Sequence, residues 1–456
     1  MMIRRLAATL LLACALGPGT ALGAANASGE LEQYVSAPDA SYSWREVSSG
    51  RVGSSEFVEA ILTSQTWRGV AWQHQLFIIR PARVDASTHQ AFLYIDGGSW
   101  YPEYGRGIGQ HIPDSAYIFQ RLAEVLHAPV AVVRQVPFEP MFGRREDALI
   151  AYTLDRYLST GDPDWPLLLP MVKSASRAMD TVQELARRHW GLSIARFTVA
   201  GASKRGWTSW LLAAVDPRVA SVAPMVIAML DMPAQIALQR KTFGGLSPAI
   251  EDYQAIHLPA RLSTPLGREL VSIIDPYSYR AELTAPKLIL LGTNDPYWPV
   301  DALEVYWSGL SEPKRVLYLP NQGHDLRDVD RLMGALSALD RYSAHHRPLP
   351  DISWRFEQSS GQLALSVAAD RAPVRVLAWS AISRSRDFTR AHWTSDSCKP
   401  SSARYLCTRR LIDPYTALYA ELQFEDPGEP RFSLSTIVCV AGEGDSARQD
   451  CLNSQP

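Results

Sequence analysis

The chain has 456 residues, of which 46% are hydrophobic and 20% are charged, and its formal net charge at pH 7 is −2. This length suggests two or three domains, and the composition is that of a globular protein with a sizeable core. A net charge this close to zero argues against a nucleic-acid partner, because such a partner would require a basic face.

The first 27 residues have the pattern of a signal peptide. Two arginines precede an apolar run from Leu6 to Leu16, and small residues follow it. This run is shorter than the roughly 20 residues that a membrane span requires. We therefore expect an exported protein, periplasmic or secreted, without a transmembrane span. A lipid anchor stays open as an alternative, because the stretch "LLAC" resembles a lipoprotein motif with Cys14 as the acylated residue.

Strands and helices are predicted to alternate after the leader. An early pair of strands, "FVEAILTSQTWRG" and "AWQHQLFIIRP", is followed by the apolar strands "AFLYID", "PVAVVRQV", "RFTVAG", "VASVAPMVI", "KLILLGT" and "KRVLYLP", with helical segments between them, among them "VDALEVYWSGL". Continuous apolar strands that alternate with helices are typical of a parallel sheet covered on both faces. Residues 28–346 are thus predicted to form a three-layer α/β domain, with a helical cap at about 230–280.

The pattern changes at about residue 347. Residues 347–456 contain short strands separated by turn residues and no helical stretch, which predicts a small β-sandwich module. Four cysteines lie near the end of this module: Cys398, Cys407, Cys439 and Cys451. Their even number in an exported chain suggests two disulfides. Three pairings are possible, and we favour Cys398–Cys407 and Cys439–Cys451 because these close the shortest loops.

Ser203 is the candidate nucleophile. It lies in "VAGASKRGWTSW", where a predicted strand ends at a glycine and a helix begins, which is the setting of a nucleophile elbow. The usual spacing G-x-S-x-G is not met, because Arg205 takes the place of the second glycine and Gly206 follows one residue later. A serine at this place is also a common helix N-cap. The interpretation therefore depends on the partners that a catalytic serine requires.

Two such partners follow in the order Ser–Asp–His. Asp295 comes directly after the strand "KLILLGT", and His324 comes after the strand "KRVLYLP". Groups at the carboxyl ends of parallel strands gather at one edge of the sheet. An imidazole activates a serine hydroxyl, and a carboxylate holds that imidazole in the required tautomer. We therefore predict a catalytic triad of Ser203, Asp295 and His324, with Asp231 as a fallback acid.

Further candidates surround this triad. The backbone N–H groups of Lys204 and of Gly98 or Ser99 are the expected oxyanion donors, because "DGGS" follows an early strand where lipases carry a Gly-rich loop. Trp100, Tyr101 and Trp298 are candidate substrate contacts, as is Arg205, which could attract an anionic substrate. The remaining histidines show no metal-ligand spacing, so we expect neither a metal nor another cofactor.

These motifs resemble those of the PhoPQ-activated pathogenicity-related protein family. The resemblance extends from about residue 31 to 440 and rests on segments such as "LYIDGGS", "RQVPFEPM", "GASKRGWTSWLLAAVDPRV", "GTNDPYWPVDA" and "LPNQGHDL". It implies an α/β-hydrolase fold and supports the triad, and the delayed glycine of G-x-S-x-x-G is that family's own form. It does not identify a substrate.

The sequence thus predicts an exported serine hydrolase that cleaves an ester or amide through an acyl-enzyme. Its substrate is expected to be a small-molecule, peptide or saccharide ester or amide, and ester and amide substrates stay open. The alternative is a catalytically silent protein of the same fold that binds an envelope or extracellular partner. The oligomeric state is not predicted.

Overall fold

The architecture was obtained from a computed structural model, which describes residues 28–107, 114–359, 361–411 and 414–442. The predicted signal peptide, Cys14 and Cys451 lie outside the described residues. The strands of the first part of the chain are β1 (Ser43–Val52), β2 (Ser55–Trp67), β3 (Val70–Arg80), β4 (Gln90–Ile95), β5 (Val130–Val133), β6 (Arg196–Ala202), β7 (Val219–Met225), β8 (Lys287–Gly292) and β9 (Lys314–Leu319).

Apolar runs account for the parallel part of the sheet. Strands β4 to β9 pair in the order β5–β4–β6–β7–β8–β9, all parallel, and β5 also pairs antiparallel with β3. All residues of β5 and of β8 are buried, as expected for strands covered on both faces. At the amino-terminal edge, β1, β2 and β3 form an antiparallel meander, of which the sequence had indicated only the second and third strands.

Helices cover both faces of this sheet. They are α1 (Ser28–Ser36), α2 (Ser115–Leu126), α3 (Glu146–Thr160), α4 (Leu168–Trp190), α5 (Lys204–Val215), α6 (Met232–Phe243), α7 (Glu251–Ala255), α8 (Leu258–Arg261), α9 (Pro265–Ile274) and α10 (Val329–His345). Helices α4 and α5 pack on one face with α1, and α10 and α2 pack on the other. Helices α6 to α9 occupy the segment that was predicted to form a cap.

One predicted helix is absent. The segment "VDALEVYWSGL" forms two short 3₁₀ turns, Ala302–Val305 and Trp307–Gly309, instead of an α-helix. The ammonium group of Lys314 donates hydrogen bonds to the carbonyl oxygens of Trp307 (2.9 Å) and Leu310 (2.8 Å). A buried lysine thus satisfies carbonyl groups at the end of this segment, where helix continuation would otherwise be needed to pair them.

The C-terminal strands form two sheets. They are β10 (Ile352–Ser359), β11 (Gln362–Ala369), β12 (Arg375–Ser383), β13 (Thr394–Ser397), β14 (Lys399–Ser401), β15 (Arg404–Arg410), β16 (Tyr415–Phe424), β17 (Phe432–Ser435) and β18 (Cys439–Gly442). The order β10–β11–β15–β14 defines one sheet, and β11 and β15 face β16 and β12 of the other. We call residues 352–442 the C-terminal sandwich.

The second of these sheets continues the hydrolase sheet. Strand β17 pairs antiparallel with β9 through Ser435 and Val316, so the order β9–β17–β16–β12–β13 extends the main sheet without a break. The change of sequence pattern near residue 347 therefore marks a change from parallel to antiparallel pairing, while the sheet itself is continuous. Cys398 and Cys407 form a disulfide bond with a Cα–Cα distance of 4.6 Å. The pairing of Cys439 with Cys451 stays a prediction.

Candidate active site

Ser203 occupies a sharp turn between β6 and α5. Its backbone angles, φ 56° and ψ −128°, lie in a region that residues other than glycine rarely adopt. Such a conformation costs about 1–3 kcal/mol and persists only where the surroundings enforce it. Here its amide donates a hydrogen bond of 2.8 Å to the carbonyl oxygen of Met225 at the end of β7. The strained turn places Ser203 at the wall of a cavity.

Two glycines allow this turn, and they explain the delayed spacing. A Cβ atom on Gly201 would lie 2.6 Å from the carbonyl oxygen of Arg205. A Cβ atom on Gly206 would lie 2.8 Å from the side chain of Ile227 and 2.9 Å from the carbonyl oxygen of Gly201. The residue of α5 that packs against the neighbouring strand is therefore the third one after Ser203. Position 205 points elsewhere and accepts a large side chain.

Asp295 and His324 form a close pair. Nδ1 of His324 lies 2.9 Å from Oδ2 and 3.1 Å from Oδ1 of Asp295, which is buried. The amide of Tyr297 donates to the same carboxylate at 2.9 Å. Because a carboxylate only accepts hydrogen bonds, the contact between His324 and Asp295 places a hydrogen on Nδ1 of His324. Within the described chain, Nε2 of His324 is buried and has no hydrogen-bond partner, so Ser203 and His324 line one cavity without a hydrogen bond between them.

The ring of Tyr297 fixes the plane of the imidazole. It stacks on His324 with ring centroids 4.2 Å apart. Burial, together with the nearby carboxylates of Asp147 and Asp295, raises the pKa of Tyr297 to about 12, so its hydroxyl stays neutral at pH 7. Asp231, the fallback acid, caps α6 by accepting a hydrogen bond from the amide of Ala234, while His324 pairs with Asp295.

The loop after β4 lies next to the nucleophile turn, because β4 and β6 pair with Ile95 opposite Gly201. Gly98 has a φ of 101°, which favours glycine, and it lines a polar cavity together with Ser203. The amide of Trp207 donates to the carbonyl oxygen of Ser203, so the amides of Lys204 and Arg205 precede the first hydrogen bond of α5 and have no partner within that helix. Ser99 is not among the described residues that line either of the two cavities beside Ser203.

Lys204 and Arg205 bind carboxylates of the protein itself. The guanidinium of Arg205 forms a two-pronged contact with Glu146, at 2.9 and 3.0 Å, and donates to the carbonyl oxygen of Val136 at 2.6 Å. The ammonium of Lys204 lies 2.7 Å from Glu146 and 3.4 Å from Asp147. Both cationic side chains are about nine-tenths buried. The two positive charges thus face two negative ones.

Glu146 is the centre of this ion-pair cluster, which we define as Glu146, Asp147, Lys204 and Arg205. Burial by itself would raise the pKa of Glu146, but hydrogen bonds and charges from Arg205 and Lys204 lower it to about 2. Arg205 also packs against Gly97, where a Cβ atom would collide with the guanidinium. The cluster therefore joins the nucleophile turn to the loop that carries the expected oxyanion donors.

The sequence had suggested a different use for Arg205, namely contact with an anionic substrate. Its buried guanidinium is instead engaged by Glu146. Glu146 itself was missed, because acidic residues are common in the first turn of a helix and carry no functional signal there. The only available sign was that two cations directly after a nucleophile need compensating charge.

The aromatic candidates divide into two groups. Trp298 and Tyr297 line the cavity that contains Ser203 and His324. Trp100 packs against Phe138 with ring centroids 6.0 Å apart, and Tyr101 is 47% exposed. In the part of the chain that the structure describes, Trp100 and Tyr101 are not among the residues that line this cavity, so their contact with substrate stays a prediction.

The C-terminal sandwich braces the acid and histidine loops. The side-chain amide of Asn294 donates to three carbonyl oxygens in the 388–391 segment, the shortest contact being 2.7 Å, to Ala391. Asn321 exchanges two hydrogen bonds with the backbone of Trp393, at 2.8 and 3.0 Å. Arg386 forms a buried ion pair of 2.7 Å with Asp301. The loops that carry Asp295 and His324 are thus fastened from outside the parallel sheet.

In the described part of the chain, no helix is long and apolar enough to cross a membrane, and no group of three or more His, Cys, Asp and Glu side chains is placed to hold a metal ion.

The strand order, with serine after β6, aspartate after β8 and histidine after β9, is that of an α/β-hydrolase. Within this class, the chain belongs to the PhoPQ-activated pathogenicity-related protein family, which matches residues 31–389. The autocrine proliferation repressor protein A of Dictyostelium discoideum is 31% identical over 388 residues, which cover 79% of this chain and 76% of that protein.

Several solved esterases are similar in structure at low sequence identity. An acetyl xylan esterase from a Thermoanaerobacterium species gives a TM-score of 0.46 at 17% identity and covers 69% of this chain and 94% of its own. An acetyl xylan esterase from a Paenibacillus species gives 0.45 at 12% identity, covering 69% and 92%. A promiscuous esterase from a marine bacterial metagenome gives 0.43 at 14% identity, covering 69% and 90%.

Proposed function

We propose that the protein is an exported serine hydrolase that cleaves an ester or amide bond through an acyl-enzyme. The observation that carries the proposal is the combination of a strained Ser203 turn with a His324–Asp295 pair at the same cavity. A serine that only capped a helix would not need its positive φ. The free Nε2 of His324 is the group that such a serine requires.

The proposed reaction follows from these positions. The hydroxyl of Ser203 attacks the substrate carbonyl carbon while Nε2 of His324 takes its proton, and Asp295 stabilises the imidazolium that forms. The carbonyl oxygen becomes an oxyanion, for which the amides of Lys204 and of Gly98 or Ser99 are the proposed donors. When the oxyanion re-forms the carbonyl, the C–O or C–N bond to the leaving group breaks, His324 protonates that group, and the acyl group stays bonded to Ser203. Water, deprotonated by His324, releases the acyl group from Ser203.

In this account Arg205 is a positioning residue. Its contacts with Val136 and Glu146 hold the nucleophile turn against the Gly97–Gly98 loop. The ion-pair cluster has no net formal charge, so the cations beside Ser203 give no reason to expect an anionic substrate. Small-molecule, peptide and saccharide esters or amides all stay within the proposal. Export rests on the predicted signal peptide, and a disulfide is in keeping with it.

Labelling with a fluorophosphonate probe tests the proposal. The wild-type protein should be labelled, and Ser203→Ala and His324→Ala should not be. Ser263→Ala is a suitable control, because Ser263 is exposed on the cap and should leave labelling unchanged. A folded wild-type protein that resists the probe, or a Ser203→Ala variant that is labelled equally, contradicts the proposal.

A second candidate function is binding without catalysis. It is favoured by the name of the Dictyostelium relative, which describes a proliferation repressor and not an enzyme. In that case the folded protein would fail to react with the probe and with every ester or amide offered, although its cavity would remain.

A further inference from the structure

Ser203 lies between two cavities of different chemistry. One is the polar cavity beside Gly97 and Gly98, to which Asp96, Arg134 and Glu146 contribute. The other extends beneath the cap, contains both Ser203 and His324, and has a volume of about 740 Å³ including the part open to solvent. We call it the cap cavity. The two cavities offer different surroundings to the two sides of a substrate bound at Ser203.

The cap cavity has a mostly apolar wall. Its apolar members come from α6, α8, the strand end after β7 and the loop after Asp295, and they include Met229, Met232, Ile236, Leu258, Leu262 and Trp298. Pockets with such walls bind apolar groups, because the free energy of binding becomes more favourable by about 25 cal/mol for each Å² of apolar surface that is removed from water.

The polar side chains that the cap adds to this wall use their donors within the protein. The amide of Gln235 donates to the carbonyl oxygen of Ala302 at 2.9 Å, and that of Gln239 donates to the carbonyl oxygen of Tyr297 at 3.1 Å. The hydroxyl of Tyr253 donates to Asp147 at 3.0 Å. The ammonium of Lys204 faces Glu146 and Asp147. Each of these four groups therefore has at least one hydrogen engaged within the protein, while the indole N–H of Trp298 and the side-chain oxygen of Gln235 have no partner among the described residues.

The acyl group is the part of the substrate that has to stay in this cavity. The leaving group departs before deacylation, whereas the acyl group remains bonded to Ser203 until water releases it. A cavity beneath a cap suits the group that stays. We infer that the substrate is an ester or amide whose acyl group is a hydrophobic chain longer than acetyl, and that helix α6 limits its length. This inference rests on the proposed function.

A series of p-nitrophenyl esters tests it. The value of kcat/KM should rise from acetate to hexanoate by about tenfold or more, since each buried methylene contributes to binding. Ile236→Trp fills the cap cavity and should lower kcat/KM for hexanoate and octanoate by about tenfold, with the acetate value nearly unchanged. Ala237→Trp adds the same ring at the adjacent exposed position and should change neither.

A second variant keeps the test decisive if Ile236→Trp does not fold. Ile236→Ala enlarges the cavity and should move the optimum toward longer chains. A wild-type preference for acetate, or chain-length profiles that are the same in Ile236→Trp, Ile236→Ala and Ala237→Trp, overturns the inference. If the fluorophosphonate probe still labels Ser203 in that case, the proposed function stands and only the acyl-chain inference fails. A protein that neither reacts with the probe nor hydrolyses any ester refutes both.

Discussion

The two halves of the candidate site are held in different ways. Ser203 is fixed from within the parallel sheet, by Gly201 and Gly206 packing closely at the turn and by the ion pair between Arg205 and Glu146. The loops that carry Asp295 and His324 are fixed from outside it, by hydrogen bonds from the C-terminal sandwich. The nucleophile half thus depends on an ion pair formed within the hydrolase domain, and the acid–base half depends on contacts with another region of the chain, namely neutral hydrogen bonds and the buried ion pair between Arg386 and Asp301.

The β-sandwich joins the hydrolase sheet edge to edge, beside the acid–base half. Strand β9 ends at the histidine loop, and β17 pairs with β9. The sandwich is thereby placed next to the loop that it braces. Changes in the two halves should consequently fail in different ways.

The largest effect is expected from Asp295→Asn, which tests the acid–base half. The amide removes the charge that stabilises the imidazolium and favours the wrong tautomer of His324, so kcat for ester hydrolysis should fall about 10⁴-fold. Asp231→Asn is the matched control and should change kcat by less than about threefold, since Asp231 caps a helix. If Asp231→Asn abolishes hydrolysis and Asp295→Asn does not, the acid has been assigned to the wrong residue.

Glu146→Gln tests the nucleophile half. It leaves Lys204 and Arg205 with Asp147 as their only remaining carboxylate in the cluster and loosens the turn relative to the Gly97–Gly98 loop. We expect kcat to fall about 100-fold with little change in KM, because the losses concern transition-state geometry. The control is Asp155→Asn, since Asp155 lies on the same helix as Glu146. This change breaks the ion pair of Asp155 with Arg261 of α8 and should leave kcat unchanged. Equal kinetic constants for Glu146→Gln and Asp155→Asn would contradict the proposal that Arg205 positions the Ser203 turn.

The pH dependence of stability should report the same cluster. The pKa of Glu146 is lowered from 4.5 to about 2 in the folded protein. Its contribution to stability is therefore fully present above pH 4.5 and is lost as the pH falls toward 2. The melting temperature of the wild type should fall more steeply than that of Glu146→Gln over this interval. Parallel curves would show that the carboxylate contributes nothing to folding.

A smaller effect is expected from Asn294→Ala. The change leaves three carbonyl groups without their donor and should lower kcat about tenfold, because the acid loop loses its brace. The low-field proton NMR signal of the His324 Nδ1–H group should weaken in Asn294→Ala and persist in Glu146→Gln. Arg390→Ala changes an exposed residue of the same C-terminal segment and should have no effect. An unaltered signal in Asn294→Ala would contradict the bracing role.

The smallest effect on activity is expected from Cys398→Ser. The disulfide closes a short loop with a sequence separation of 9, and its loss should lower the free energy of unfolding by about 2–3 kcal/mol. Activity below the melting temperature should stay within about twofold of the wild type, because the hydrogen bonds that brace the Asp295 and His324 loops come from residues 388–393 and not from the two cysteines. A large loss of kcat in the folded variant would link this part of the sandwich to the site.

The sequence was most informative where chemistry follows from strand order. Apolar strands were recognisable, and groups at their carboxyl ends must meet at one edge, so Ser203, Asp295 and His324 could be selected together. The contact between Arg205 and Glu146 could not be predicted, because it joins residues 59 positions apart through a loop whose path is set by tertiary packing. The pairing of β9 with β17 could not be predicted either, because edge strands pair through backbone groups, and the pattern of side chains does not identify the partner strand.

The most direct test of the account is to locate the fluorophosphonate adduct by mass spectrometry of a digest of the labelled wild-type protein. A single adduct is expected on the peptide that contains Ser203, and no adduct is expected in the folded His324→Ala variant. An adduct on a different residue, or none on a folded wild-type protein, would contradict the claim that this turn carries the nucleophile.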